Sequence, residues 1–311
     1  MKIVFLDAKS IGEDIDLSAY DALGEVIKYD FSTAEEAAVR SVDADVLVLN
    51  KVEVNEKTIG NASHLKLVCV TATGTNNLDK AYLEKRGIAW RNVAGYSTES
   101  VAQHTFAMLF YLLEKLPYYD RYVKDEKYIG DKMFTHFDKH FGELAKMTWG
   151  IIGLGNIGRR VADIAKAFGC RVIYYSTSGR NSQPGYERVS FEELLKESDI
   201  VSVHAPLDLM NKEAFHQMKK TAIFLNLGRG PIVVEEDLAE ALEQGEIAAA
   251  GLDVLRVEPM SPENPLRRIK DSEKLLITPH IAWASVEART RLMEIICGQI
   301  QEFFSNGSPE S

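Results

Sequence analysis

The chain is poor in cysteine, with three among 311 residues: Cys69, Cys170 and Cys297. The count is odd, and no two lie close enough in sequence to form a redox or metal-binding pair. Neither a disulfide framework nor a metal centre is therefore expected. Cys69 sits in the apolar run "LKLVCV" and is expected to be a buried thiol in a reducing compartment. Positive charge is also short. Lys and Arg number 36 against 46 Asp and Glu, a formal net charge of -10. That disfavours non-specific attraction to nucleic acid or to an anionic membrane surface, while leaving room for a basic patch around an anionic substrate. No apolar run approaches the ~18 residues a membrane span needs. The opening "MKIVFLDAKS" reads as a first strand rather than a signal peptide. Low-complexity tracts and short-period repeats are absent. What is left is the expectation of a soluble, cytoplasmic globular protein, long enough for two domains.

Short apolar runs alternate with amphipathic stretches. "KIVFLD", "EVIKYD", "DVLVLNK" and "LKLVCVTAT" read as strands buried on both faces. Helical patterns such as "STAEEAAVR" lie between them, with Ser32 or Thr33 as N-cap. Repeated βα implies a mainly parallel sheet with helices on both faces. A long apolar segment follows from Thr98 to about Tyr128, which Pro117 should kink or break. A helix so apolar is expected to be buried between domains or against a second subunit. The βα pattern then restarts with "TWGIIGLG" and "NIGRRVADIAKAFG". It continues through "RVIYYST", "DIVSVHA", "AIFLNLG", "AAAGLDV" and "LLITPH". The closing helix "SVEARTRLMEIICGQIQEFF" has no strand after it and is assigned to the first domain.

Gly153, Gly155 and Gly158 stand in G-x-G-x-x-G spacing, after an apolar strand and at the start of an amphipathic helix. The first glycine permits the tight turn, the second lets a pyrophosphate approach the backbone, and the third lets helix and strand pack closely. The N–H groups of Asn156 and Ile157 would face the phosphates. One part of this dinucleotide-binding pattern is missing. Eighteen residues beyond Gly158, where an acid usually bonds the adenosine ribose, stands Ser176, within "YYSTSGRN".

Downstream come "LGRG" at 227–230, "VEP" at 257–259 and "TPHIAW" at 278–283. With "GLGNIG", "DIVSVHAP" and "GLDV", these motifs resemble the D-isomer-specific 2-hydroxyacid dehydrogenase family over nearly the whole chain. "TATGTNNLD" and "NVAGYSTESVAQHTF" resemble its substrate loop and interdomain helix. The finer similarity is to the glycerate, hydroxypyruvate and glyoxylate reductase members. The resemblance implies two doubly wound α/β domains, one flavodoxin-like and one dinucleotide-binding, with the active-site cleft between them. The substrate-binding domain would take residues 1–98 and 283–311, and the dinucleotide-binding domain residues 99–282.

Hydride transfer to a 2-keto acid needs a proton donor for the developing alkoxide. His280, at a strand end, is the candidate. Glu258 is its expected partner, raising the imidazole pKa and fixing its tautomer. Arg229, between two glycines, would clamp the substrate carboxylate with its fork. Backbone N–H groups of Thr73, Gly74 and Thr75 would bind the carboxylate as a nest, and Lys51 would add charge at the mouth. The resemblance also implies that His204, Ala205 and Pro206 line the adenosine side of the cofactor. It places Leu227, Gly228, Asp253, His280 and Trp283 along the rest of it. Formate is disfavoured as substrate, because Glu258 stands where the family's formate dehydrogenases carry glutamine. The segment "PLDLMNKEAFHQMKK" is shorter than the family's usual loop and helix, and lacks its threonine after the proline.

The missing acid then bears on cofactor choice. An aspartate at Ser176 would repel a 2′-phosphate. Ser176 removes that repulsion, Thr177 and Ser178 offer hydroxyls, and Arg180 offers a cation. NAD(P) is expected, with NADP favoured. The expected partners are a small 2-keto acid and a second copy of the chain, with the helix from Ser100 to Leu116 as an interface element. A nucleotide-sensing, corepressor-like protein on the same scaffold is the alternative. Arg229, Glu258 and His280 argue against it. A Rossmann enzyme of other chemistry, such as a methyltransferase, would lack that trio.

Overall fold

A computed structural model describes residues 1–179, 183–205 and 209–305. The chain divides into two compact units, residues 98–283 and the remainder. In the unit that holds residues 1–97, the strands β1 (Lys2–Phe5), β2 (Glu25–Lys28), β3 (Val46–Leu49), β4 (Leu67–Val70) and β5 (Ala89–Asn92) alternate with helices. These are α1 (Ala34–Arg40), α2 (Glu56–Ile59) and α3 (Lys80–Lys85). The strands form one parallel sheet in the order β2-β1-β3-β4-β5. VLVL and LVCV, in β3 and β4, are buried throughout because helices cover both faces. "EVIKYD" departs from the expected two-sided burial: β2 is an edge strand, with Glu25 and Lys28 facing water. Thr33 is the N-cap of α1, in a reciprocal capping box with Glu36. Ser32 instead donates to the Leu6 carbonyl.

The other unit opens with α4 (Thr98–Leu113) and α5 (Leu116–Lys124). The break falls at Lys115, which takes a left-handed φ of 56°, so Pro117 lies in the first turn of α5 rather than inside one long helix. Then follow β6 (Thr148–Ile152), α6 (Asn156–Ala167), β7 (Arg171–Tyr175), β8 (Glu187–Arg188), α7 (Phe191–Glu197), β9 (Ile200–Val203), α8 (Lys212–Gln217), β10 (Ile223–Asn226), α9 (Glu235–Gln244), β11 (Ala249–Leu252) and β12 (Leu275–Ile277). These strands form a parallel sheet in the order β12-β11-β10-β9-β6-β7-β8. The order reverses between β6 and β9, where doubly wound sheets bind ligands.

Helix α4 was expected against another domain or subunit, but this unit's own core takes up its apolar residues. Phe106 packs on the fully buried Trp149, ring centroids 4.8 Å apart, and Leu109, Leu112 and Leu113 join the same cluster. Exposed apolar side chains gather further on, with Ile129 80%, Phe134 89% and Phe137 69% exposed. The last helix, α10 (Val286–Ser305), packs in the unit that contains β1 to β5. Arg289 pairs with Asp14 at 2.6 Å, and the Tyr20 hydroxyl donates to the Met293 carbonyl.

Candidate active site

The glycine loop leaves β6 and turns into α6. Gly153 has φ 91°, and a side chain there would run into Ala205 Cβ at 2.7 Å and the His204 carbonyl at 3.0 Å, just past β9. A Cβ on Gly158 would collide with the Gly153 carbonyl oxygen. Both glycines are explained by protein packing. Gly155 is not, because a Cβ there would meet nothing within 4 Å. It is the N-cap of α6 and supplies no side-chain cap, so the first-turn N–H groups of Asn156 and Ile157 face outward without an intrahelical partner.

Two buried polar atoms border this loop with no partner among the described residues: Ser176 Oγ past β7 and His204 Nδ1 past β9. Buried polar atoms are normally satisfied, so each is a candidate partner for a ligand atom. The Ser202 hydroxyl accepts from Trp149 Nε1 at 2.9 Å and lies 3.1 Å from His204 Nε2. Burial of His204 pushes its pKa down to about 4, keeping the ring neutral. Thr177 is half-buried, Ser178 exposed and Ala205 buried. The donor helix turn, the clear space at Gly155 and the two orphaned atoms fit a dinucleotide. Arg180 and Pro206 lie outside the described residues.

Asn226, fully buried at the end of β10, shapes the next turn. Its Oδ1 accepts from Gly228 N at 3.1 Å, and its Nδ2 donates to the Arg229 carbonyl at 2.9 Å. Leu227 is buried beneath that turn. Arg229 is exposed, and its guanidinium donates only to the Gly228 carbonyl among the described residues. A Cβ on Gly230 would overlap the Leu255 carbonyl. Only glycine lets this chain lie so close to the segment leading to Glu258.

Glu258 Oε1 accepts from Leu255 N at 2.9 Å, and Oε2 lies 2.7 Å from His280 Nδ1. A carboxylate only accepts, so Nδ1 carries a proton. His280 Nε2 has no partner among the described residues. The ring is held by an unusual backbone, φ 54° at a residue with a side chain. Asp253, 2% exposed at the end of β11, grips that turn from one side. Its Oδ1 accepts from Ile281 N at 2.8 Å and from Thr278 Oγ1 at 2.6 Å, its Oδ2 from Ala282 N at 2.9 Å. Its carbonyl accepts from His280 N at 2.8 Å. Trp283 Nε1 braces the far side by donating to the His280 carbonyl at 2.8 Å.

In the other unit, Thr73, Gly74 and Thr75 follow β4. Thr73 is pinned by Asn92 Nδ2 on its carbonyl at 2.7 Å and by its own Oγ1 on the Val93 carbonyl. Their N–H groups have no acceptor among the described residues. Lys51 follows β3 with its side chain exposed. Its backbone N–H is committed to the buried carboxylate of Asp7, which also accepts from Asn50 N and Val52 N. Burial pushes the Asp7 carboxyl above its ordinary value, against the pull of these amides and of the Lys51 charge. Asn77 Nδ2 ties the same loop through the Asn50 and Val52 carbonyls.

Sequence reasoning passed over Asn226, Thr278, His104, Asp7 and Asn77. The signal for Asn226 and Asp7 was legible: each is a polar residue ending an otherwise apolar strand run, in "IFLNLG" and "KIVFLD".

A doubly wound sheet, with a glycine loop at its reversal point and an Arg, Glu and His at the ends of its other strands, defines a nicotinamide-dependent oxidoreductase. Residues 106–282 match the model of the "D-isomer specific 2-hydroxyacid dehydrogenase, NAD binding domain". The chain is 36% identical over 323 residues to a hydroxypyruvate reductase of Blautia hydrogenotrophica, covering 99% of this chain and 98% of that one. It is 32% identical to a glycerate dehydrogenase of Methylorubrum extorquens, covering 100% and 98%. Among solved structures, an acyclic imino acid reductase, Bsp5, in complex with NADPH and D-Arg superposes with a TM-score of 0.85 at 28% identity, covering 98% of each chain. The chain belongs to the D-isomer-specific 2-hydroxyacid dehydrogenase family. It is an oxidoreductase acting on CH–OH donors with NAD or NADP as acceptor.

Proposed function

We propose that the enzyme reduces a small 2-keto acid of the hydroxypyruvate or glyoxylate type to the D-2-hydroxy acid, with His280 as proton donor. The Glu258–His280 pair at 2.7 Å carries this reading. Glu258 holds the proton on Nδ1 and orients the ring, so Nε2 is the atom that delivers a proton to the carbonyl oxygen. Glu258 also balances the charge of the imidazolium. Arg229, with no carboxylate partner among the described residues, holds the substrate carboxylate and polarises the adjacent carbonyl. The N–H groups of Thr73, Gly74 and Thr75 form a nest for a substrate carboxylate, and Lys51 adds charge beside β3. When bound, the reduced nicotinamide supplies the hydride to the carbonyl carbon. Gly155, Asn156, Ile157, Ser176 and His204 hold the dinucleotide; Asp253 and Trp283 fix the turn that carries the acid.

NADPH is accepted and preferred. Ser176 puts a neutral hydroxyl where an acid would repel a 2′-phosphate, and exposed Ser178 adds a donor beside it. The same protein is a cytoplasmic homodimer. Its three cysteines are buried free thiols, and among the described residues no helix is long and apolar enough to cross a membrane. The exposed apolar side chains between Leu116 and Phe141 give the second copy its surface.

Steady-state kinetics with NADH and NADPH across a panel of keto acids tests the reading. Turnover of hydroxypyruvate or glyoxylate is expected, and His280→Gln should lower kcat by about 10²–10⁴ without unfolding the protein. Absence of cofactor oxidation with every acid would instead favour a nucleotide sensor. Ser176→Asp should shift kcat/KM from NADPH toward NADH by at least about tenfold. Equal effects on both cofactors would refute the NADPH preference.

A further inference from the structure

His104 projects from α4 toward the strand ends that carry Asp253 and Thr278. Its Nε2 lies 3.1 Å from Thr278 Oγ1 and 3.8 Å from Asp253 Oδ1. The proton positions follow from counting. Thr278 Oγ1 is 2.6 Å from the Asp253 carboxylate, which can only accept, so the single hydroxyl proton points there. The contact with His104 therefore requires a proton on Nε2, donated to a lone pair of Thr278. A chain of donors runs from His104 through Thr278 to Asp253 Oδ1. The same oxygen accepts from Ile281 N, directly after His280.

We propose that His104 is a positioning residue for the proton donor. Through Thr278 it fixes the orientation of the Asp253 carboxylate, and that carboxylate moulds the left-handed turn on which His280 sits. The argument is geometric. A non-glycine residue at φ 54° persists only where its surroundings over-determine it. Asp253 supplies most of that determination, through contacts to residues 278, 280, 281 and 282. Without Thr278 held in place, Oδ1 loses one of its two donors and the carboxylate can turn away from Ile281. His104 touches neither substrate nor proton in flight, and its effect reaches the chemistry only through where His280 Nε2 lies. The proposal rests on His280 being the proton donor, as inferred above.

The test uses the full chain. His104→Phe is expected to lower kcat by about tenfold or more while KM for the keto acid changes less than about twofold. His104→Gln, whose amide can reach Thr278 as a donor, is expected to recover most of the rate. A second readout needs no turnover. In ligand-free protein with 15N-labelled histidine, the His280 ring signals are identified by their loss in His280→Gln. They should shift in His104→Phe and return near the native position in His104→Gln. Unchanged kcat and unchanged ring signals in His104→Phe overturn the proposal. So does an equal loss in both variants, which would mark His104 as packing alone. If His104→Phe does not fold, Thr278→Val replaces it, with Thr278→Ser as the rescue. Native kcat and native His280 signals in Thr278→Val are then the overturning result. If the native protein turned over no keto acid, the proposed function would fall, while the ring signals would still decide whether His104 positions His280.

Discussion

At the point where the strand order of the five-stranded sheet reverses, between β1 and β3, the crevice is filled by the protein's own carboxylate. Asp7 leaves β1 and accepts from the N–H groups of Asn50, Lys51 and Val52 as they leave β3. At the corresponding reversal in the seven-stranded sheet, between β6 and β9, nothing among the described residues plays that part. Among the described residues, a Cβ on Gly155 would meet no atom within 4 Å, the first N–H groups of α6 are uncapped, and the buried Ser176 Oγ and His204 Nδ1 have no partner. Sheets of one topology build the same concave, donor-lined feature. Where the chain fills it with an anion of its own, the feature serves stability. Where its polar groups have no partner among the described residues, the feature is the one proposed above to hold the dinucleotide.

The largest expected effect tests the cost of burying His204 beside the second crevice. Nothing offsets the desolvation of His204, and its pKa falls from 6.5 to about 4. The folded pKa lies below the unfolded one, so between these values the unfolded chain binds more protons. Stability is therefore full above about pH 6.5 and is lost as pH falls toward about 4. At 1.36 kcal/mol for each tenfold change in proton concentration, the loss across that window is about 3 kcal/mol. Urea unfolding of the ligand-free enzyme at pH 7 and pH 4, beside His204→Gln, measures it. The variant should lose about 3 kcal/mol less than the native chain on acidification. Parallel losses in the two proteins would mean that His204 is not the acid-sensitive group.

Asp7 supplies the opposite arm. Asp7→Ala strands three loop amides and is expected to cost about 2 kcal/mol, read as a lower urea midpoint at pH 7. The kcat should stay within about threefold of native, because the carboxylate holds a loop and not a reacting group. A variant of native stability with a large fall in kcat would invert the contrast between the two crevices.

How much of this was legible in the sequence depends on the kind of signal. Parallel strands buried on both faces write themselves as unbroken apolar runs, so VLVL, LVCV and IVSV were readable. So was the glycine loop, because three glycines at fixed spacing answer three separate steric demands. The edge strand β2 was misread, since an apolar pair inside "EVIKYD" does not say which strand ends the sheet. The fate of α4 was also hidden. Composition shows that a helix is apolar all round but not what covers it, and here its own unit does, through Trp149 and Phe106. Arg229, Glu258 and His280 stood out as residue types in motifs. The residues that shape their backbone did not, because Asn226, Thr278 and His104 act through contacts across as many as 174 positions of sequence.

The smallest effect is the most direct probe of the crevice between β6 and β9. Gly153 and Gly158 are glycines for the protein's sake, because a methyl group at either would strike Ala205 or the Gly153 carbonyl. Gly155 has no such constraint. Its φ is -78° and the space around its Cβ is clear, so Gly155→Ala fits the folded chain. The methyl would instead occupy the approach that a pyrophosphate needs to reach the N–H groups of Asn156 and Ile157. Gly155→Ala should therefore keep the native unfolding midpoint to within about 1 kcal/mol, as expected for an N-cap change without steric conflict. It should weaken dinucleotide binding by about tenfold, close to 1.4 kcal/mol, measured by calorimetry on the ligand-free enzyme. Unchanged affinity would mean that the space beside Gly155 is not where the dinucleotide lies, and the two crevices would then differ for a reason other than the cofactor.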